Sequence, residues 1–386
     1  MIVLLALPLR AQIIGNDASC DISVAPAATL LLPYFEIGDT KTTLFTVTNV
    51  SPLPQIAAVT LWSKLGKPVL RFDLQLTGYD VQSVDLRTVL TTGVFAAPEA
   101  RRGSRSAKHN PDHQTNASAR CGRATLPQPL RDAAIATLED GIGSATIDVV
   151  AACRDTFPSD GAYYDDLLYD NVLIGDWMLV DTGAATDVAG SPLVHIRAIP
   201  EGGPSGSFLP RERTFYGRLA AAAGLPRGID RRQPLPGVFA VGWGDGSSPV
   251  TTDLLIWREP SAVPPLSTQD AYFFYEDSTV LDARENLSVP CWLQFCGGFG
   301  GVPVIRLNIA STDRLTMSGG DERLPRVWSG DVHGWIFFDL HHVSESRQAW
   351  VVRLDRGSRF RRLADGVPLG NGCSPQRNRT DALGPL

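Results

Sequence analysis

Residues 70–86, LRFDLQLTGYDVQSVDL, alternate apolar and polar side chains from Leu70 to Leu76 and restart out of phase after Thr77 and Gly78. Successive side chains of an extended chain point to opposite faces. Leu70, Phe72, Leu74 and Leu76 therefore line one face, and Arg71, Asp73 and Gln75 the other. A sheet with one packed face and one wet face is what this pattern supports, and that belongs to antiparallel pairing. The break at Thr77-Gly78 marks a turn or bulge.

The same signature recurs along the chain in TLLLPYFEI, TTLFTVTNV, AAVTLWS, ATIDVVAA, VLIGDWMLV, LVHIRAI, VFAVGW, DLLIWRE, AYFFYED, PVIRLNIA, GWIFFDLH and AWVVRLD. These runs are rich in β-branched and aromatic residues and are bounded by Gly, Pro, Asn or Asp. Helical signal is confined to PLRDAAIATLEDG, which sets Leu130, Ala134, Ile135 and Leu138 on one face, and to RLAAAAGLP. No βαβ alternation occurs, so Rossmann and TIM-type architectures, with most of the enzymes they host, are excluded. The expected fold is all-β: two β-sandwich units, immunoglobulin-like or jelly-roll, with a few short connecting helices. A chain of 386 residues suits two such units. Glycine, proline and serine cluster in residues 199–213 and place the boundary there. The expected divisions are residues 1–12, an N-terminal sandwich at 13–205 with a basic loop insertion at 98–129, a C-terminal sandwich at 206–373, and a tail at 374–386.

Met1 to Leu9 form an apolar run followed by Arg10-Ala11-Gln12, long enough for the core of a signal peptide and too short to span a bilayer. Export follows from that reading, to the periplasm, the outer surface or the extracellular space. No other stretch has the length of a membrane helix. Six cysteines in an exported chain suggest disulfides. The expected pairs are Cys20 with Cys373, Cys121 with Cys153, and Cys291 with Cys296, among many that the count allows. Zinc and haem attachment lack their ligand spacing. The net charge is −6, with basic residues gathered in 98–131 and 353–379 and the remainder strongly acidic. Nucleic-acid binding is disfavoured, because a dominant basic surface is missing.

Four groupings could carry chemistry. SDGAYYDDLLYDNVLIGD gathers Asp160, Asp165, Asp166, Asp170 and Asp176 with Tyr163, Tyr164 and Tyr169. Several oxygen ligands suit calcium, and aromatic rings beside carboxylates suit sugars. Asp160, Asp165, Asp166 and Asp170 are accordingly the calcium candidates, although the spacing matches no calcium-loop motif. RLDRGSRFRR supplies Arg353, Arg356, Arg359 and Arg361 for an anionic glycan or a carboxylate-bearing partner, or simply the wet face of a hairpin. The three tyrosines and these four arginines are the ligand-binding candidates. The histidine groups, His109 with His113 and His333 with His341 and His342, read as surface histidines. No nucleophile elbow or phosphate loop is present, and no catalytic residue can be nominated.

The segments ATLLLPYFEI, TTLFTVTN, FDLQLTGYDVQSVDLR, TFYGR, TDLLIWRE, GWIFFDL and LGNGCSP resemble, in that order, segments of a group of uncharacterised exported proteins of Gram-negative bacteria. The resemblance runs from about residue 27 to 375. It implies export and a β-rich fold, and no activity, cofactor or catalytic residue. The function expected is a non-catalytic envelope or extracellular binding or adhesion module that meets a surface glycan or an envelope protein through its loops, with calcium the one metal considered. The alternatives are a secreted, glycan-directed hydrolase whose carboxylates meet only in space, and a subunit of a surface assembly using open sheet edges.

Overall fold

The computed structural model describes residues 22–94, 125–183, 187–199, 214–226, 229–244, 250–260, 269–275, 304–307, 310–317, 333–340, 348–358 and 360–369. Strands are numbered in chain order. The first sheet runs β4 (Pro68–Leu76), β3 (Gln55–Ser63), β6 (Ile142–Val150), β1 (Thr29–Glu36), β9 (Val194–Ile196). On one of its faces lies a sheet of β5 (Val81–Asp85), β2 (Lys41–Asn49), β7 (Leu173–Asp181) and β8 (Asp187–Pro192). Its other face is covered by β14 (Thr312–Thr316), β11 (Val250–Arg258), β16 (Ala349–Gly357) and β17 (Arg361–Asp365). Beyond that lies a fourth sheet of β13 (Val304–Leu307), β12 (Gln269–Tyr275), β15 (His333–Asp339), β10 (Val238–Gly244) and β18 (Val367–Pro368). The chain is thus all-β, and its two sandwiches pack face to face, with one cluster of buried apolar side chains running through all four layers.

Burial explains the two kinds of strand seen in the sequence. β2 and β7 belong to an outer layer and alternate buried with half-buried residues. β1, β3 and β6 are buried along nearly their whole length because sheets cover both faces, and strands buried on both faces read as continuous apolar runs. The registers Val59↔Phe72, Val59↔Ile147 and Leu30↔Ile147 put these residues on one face of the first sheet. Phe45, Val47 and Trp177 of the outer layer join them in the core. The opposite face, through Thr60↔Arg71, Thr60↔Thr146 and Thr29↔Asp148, is polar. It is buried all the same.

The segment on the C-terminal side of the expected boundary seals that polar face. Residues 231–233 pair with 197–199 of the first sandwich. Gln348, just before β16, accepts from Leu235 N and donates to the carbonyls of Thr214 and Phe215. The helix Gly217–Ala222 forms where the sequence places it. So does the helix Gln128–Thr137, but of its expected apolar face only Ala134 and Leu138 are buried. Leu130 and Ile135 are exposed, because this helix meets β4 and the helix Leu86–Thr92 along a narrow stripe. Cys153 is disulfide-bonded. Cys20, Cys121, Cys291, Cys296 and Cys373, residues 1–12, the basic loop up to residue 124, the boundary stretch from residue 200, and the tail lie outside the described residues.

His195 of β9 is buried against Gly175, and desolvation lowers its pKa. The folded protein therefore resists a proton that the unfolded chain accepts near the ordinary imidazole value of about 6.5. This group removes stability as pH falls through that value and removes none above it. In urea unfolding between about pH 8 and pH 5, His195→Gln should lose less stability than the wild-type protein. Equal losses would assign the pH dependence to other groups.

Candidate functional site

The acidic-aromatic stretch is built into the interior. Tyr163 is fully buried, and its hydroxyl donates to Asp148 Oδ2 at 2.6 Å. The Tyr216 hydroxyl donates to the same oxygen at 2.6 Å, and Thr29 donates to Oδ1 at 2.5 Å. Arg232, also fully buried, has Nε 3.6 Å from Asp148 Oδ1 and Nη1 3.3 Å from Asp230 Oδ1. Its remaining nitrogen donates to the Leu168 carbonyl at 3.1 Å. Burial opposes the charge on Arg232, and the two carboxylates outweigh it and raise its pKa. Burial, with Asp148 alongside, pushes both phenols up, so they remain donors. Tyr163, Tyr164 and Tyr216 meet edge to face at 6.1–6.4 Å, and the Tyr164 hydroxyl donates to the Pro158 carbonyl at 2.9 Å.

This corrects the ligand-binding reading of Tyr163 and Tyr164, which have no surface to offer. Tyr169 is half-buried. Its hydroxyl donates to the Ile229 carbonyl, and its ring lies under Arg231 at 4.1 Å. All three tyrosines hold residues 156–171 against the segment that joins the sandwiches. The aspartates between them do separate jobs. Asp160 accepts from Phe157 N at 2.8 Å, Asp166 is buried and paired with Arg154 at 2.7 Å, and Asp165 and Asp170 face solvent. Among the described residues no three His, Cys, Asp or Glu side chains gather as a metal site would require.

The arginine candidates are likewise engaged within the molecule. Arg353 pairs with Asp355 at 2.7 Å, Arg356 with the fully buried Asp253 at 2.8 Å, and Arg361 with Asp187 of the first sandwich. Arg359 lies outside the described residues. Asp253 also accepts from Arg314, which reaches Glu36 of β1 at 3.3 Å. These charges form a seam between β1 and the sheet of β11, β14 and β16. An aromatic recess at the same junction is lined by Trp62, Phe215, Tyr216 and Trp257, with Glu259 in its wall ion-paired to Arg218 at 3.2 Å.

Among the described residues, exposed large apolar side chains also lie on two linked loops at one end of the first sandwich. Leu53 in the β2–β3 loop is 66% exposed, and Tyr79 and Val81, at the start of β5, are 70% and 56% exposed. Buried Asn49 at the end of β2 ties the two loops together: its Nδ2 donates to the carbonyls of Leu53 (2.7 Å) and Thr77 (2.9 Å). Its Oδ1 accepts from Ser51 N at 3.0 Å and Ser51 Oγ at 2.8 Å. Tyr79 N donates to the Ser51 carbonyl, and Asp80 turns its carboxylate onto Thr77 N and Val81 N. Gly78 is required by proximity, since a Cβ there would stand 2.1 Å from the Pro52 carbonyl oxygen. The left-handed residue is its neighbour Tyr79, at φ 58°.

The phase break after Leu76 pointed to a turn here, and Asn before a Ser-Pro stretch is a turn signal. Neither showed that the two loops share a brace or that Tyr79 carries the strain. The chain matches no protein-family model and no curated protein.

Two substitutions test the interior assignment. Arg232→Met should destabilise by about 3–5 kcal/mol, because it strands buried Asp148 and Asp230, and Tyr163→Phe by about 1–3 kcal/mol, because it removes one donor. Denaturant unfolding measures both. A neutral result for Arg232→Met would show that the carboxylates take up protons or water instead.

Proposed function

We propose that this protein is an exported, non-catalytic binding module of the envelope or the extracellular space, and that the tip formed by residues 49–54 and 77–81 is the surface that meets its partner. Tyr79 carries the proposal. A left-handed conformation costs a residue with a Cβ about 1–2 kcal/mol relative to its ordinary one. A tyrosine that packed into the core could recover this, but Tyr79 is 70% exposed. The side chain recovers none of the cost by packing; the backbone returns it only through the turn, in which Tyr79 N donates to the Ser51 carbonyl. Strain held in place by surrounding structure is a feature of binding and catalytic sites, and the Asn49 brace supplies that structure. Rigid presentation also limits the entropy lost on binding.

The test separates binding from folding. Tyr79→Gly relieves the strained backbone and so should not lower the thermal midpoint. The same change removes most of the aromatic surface and should reduce retention of the protein on washed envelope fractions of Gram-negative cells roughly tenfold. Equal retention of the two proteins would remove the tip from the reading. Absence of retention for both would remove the reading itself.

A further inference from the structure

We infer that the tip inserts into the interfacial layer of a lipid bilayer. This deepens the binding-module reading and rests on it. Three observations converge on lipid. The first is charge: residues 49–55 and 77–82 contain no Lys, Arg or Glu, and their single formal charge, Asp80, is turned inward onto Thr77 N and Val81 N at 3.1 and 2.9 Å. Behind the tip stand Gln55, Gln75 and Gln82, half-buried and neutral, with Gln82 Nε2 donating to the Gln75 carbonyl at 2.7 Å. A neutral apolar point on a neutral polar collar complements the gradient from acyl chains to headgroups.

The second observation is backbone pairing within the tip. The carbonyls of Ser51, Leu53, Thr77 and Asp80 all accept hydrogen bonds from within the tip, and the amides of Asn49, Ser51, Thr77, Tyr79 and Val81 all donate within it. An apolar medium penalises every unmade backbone hydrogen bond, so the pairing of these groups lowers the cost of carrying the tip out of water into the interfacial layer. The third is side-chain type. Pro52, Leu53, Pro54, Tyr79 and Val81 are exposed, and an amphipathic tyrosine is suited to the headgroup boundary. Association through so few side chains is weak and reversible, and it owes nothing to anionic lipid.

Flotation with protein-free phosphatidylcholine vesicles at about millimolar lipid tests this. The full chain should float with the vesicles. Tyr79→Ser combined with Leu53→Ser should cut the bound fraction roughly tenfold, with circular dichroism and thermal midpoint confirming that this variant is folded. Leu53→Trp should raise the bound fraction. Replacing a third of the lipid by phosphatidylglycerol should not raise it. Failure to float, together with Tyr79-dependent retention on envelope fractions, would overturn the lipid assignment in favour of an envelope protein or glycan and leave the binding module standing. Failure in both assays would overturn both. Flotation that needs anionic lipid and ignores the tip substitutions would also overturn the inference and move the contact to a basic surface.

Discussion

Arg232 is held between Asp148 and Asp230 with no exposure to solvent, and the relation of the two sandwiches depends on it. The first sheet has an apolar face for its own core and a polar face that would be wet in an isolated sandwich. Covering the polar face with a second sandwich removes Asp148 from water, which costs several kcal/mol unless the charge is met and hydrogen-bonded. Thr29, Tyr163 and Tyr216 complete the shell around its oxygens. The components come from β1, β6, the 156–171 segment and the stretch joining the sandwiches, so the network forms only when all four are in place. An apolar cluster of equal volume could match it in stability. It could not demand a single arrangement so strictly, because hydrogen bonds are directional and apolar contacts are not.

The charged seam repeats this logic at the other end of the contact. Asp253 sits on a strand buried nearly throughout and is reached by Arg314 and Arg356, and Arg314 extends the chain of charges to Glu36 in the first sandwich. Desolvation opposes the charge on Arg314, and Asp253 outweighs it. Between the Arg232 clasp and the seam the contact is largely aromatic, with Phe215 stacked on Trp257 at 5.7 Å. Apolar burial supplies the attraction, and the two polar groups set the orientation.

This division explains what could be read from the sequence. All-β class, the sandwich pair and most long strands were legible, because alternation and continuous apolar runs are local properties of a sheet's two faces. The strands β8 and β14, DVAGSP and TDRLT, were not, because their side chains answer to distant partners: Arg314 of β14 is there for Asp253 and Glu36. The tyrosines and aspartates of 160–170 were visible as a composition but not as a clasp. Tyr163 meets Asp148 from fifteen residues away, and Tyr216 meets it from 68. The arginines of β16 read as a solvated or ligand-ready row because the acid that engages Arg356, Asp253, lies about a hundred residues away and reaches it only through the pairing of β11 with β16. The tip was half legible: its turn was visible, but the strain at Tyr79 follows from the approach of Gly78 to Pro52, which is a contact between loops.

Polar residues concentrated in the sequence hold the fold together, and the exposed tip beside them carries one formal charge, Asp80, turned onto its own backbone. That bears on how function can vary without loss of structure. The clasp lies on the polar face of the first sheet, and Asn49 with its two loops ends the outer sheet on the far side of that sandwich's core. The groups share no hydrogen bond, and substitutions without shared partners add in free energy. Leu53, Tyr79 and Val81 can therefore be exchanged for other side chains at little cost to stability. Asn49 cannot, because it satisfies the carbonyls of Leu53 and Thr77 from a buried position. A fixed brace beneath replaceable side chains is the arrangement by which a rigid sandwich can change what it touches while keeping its fold.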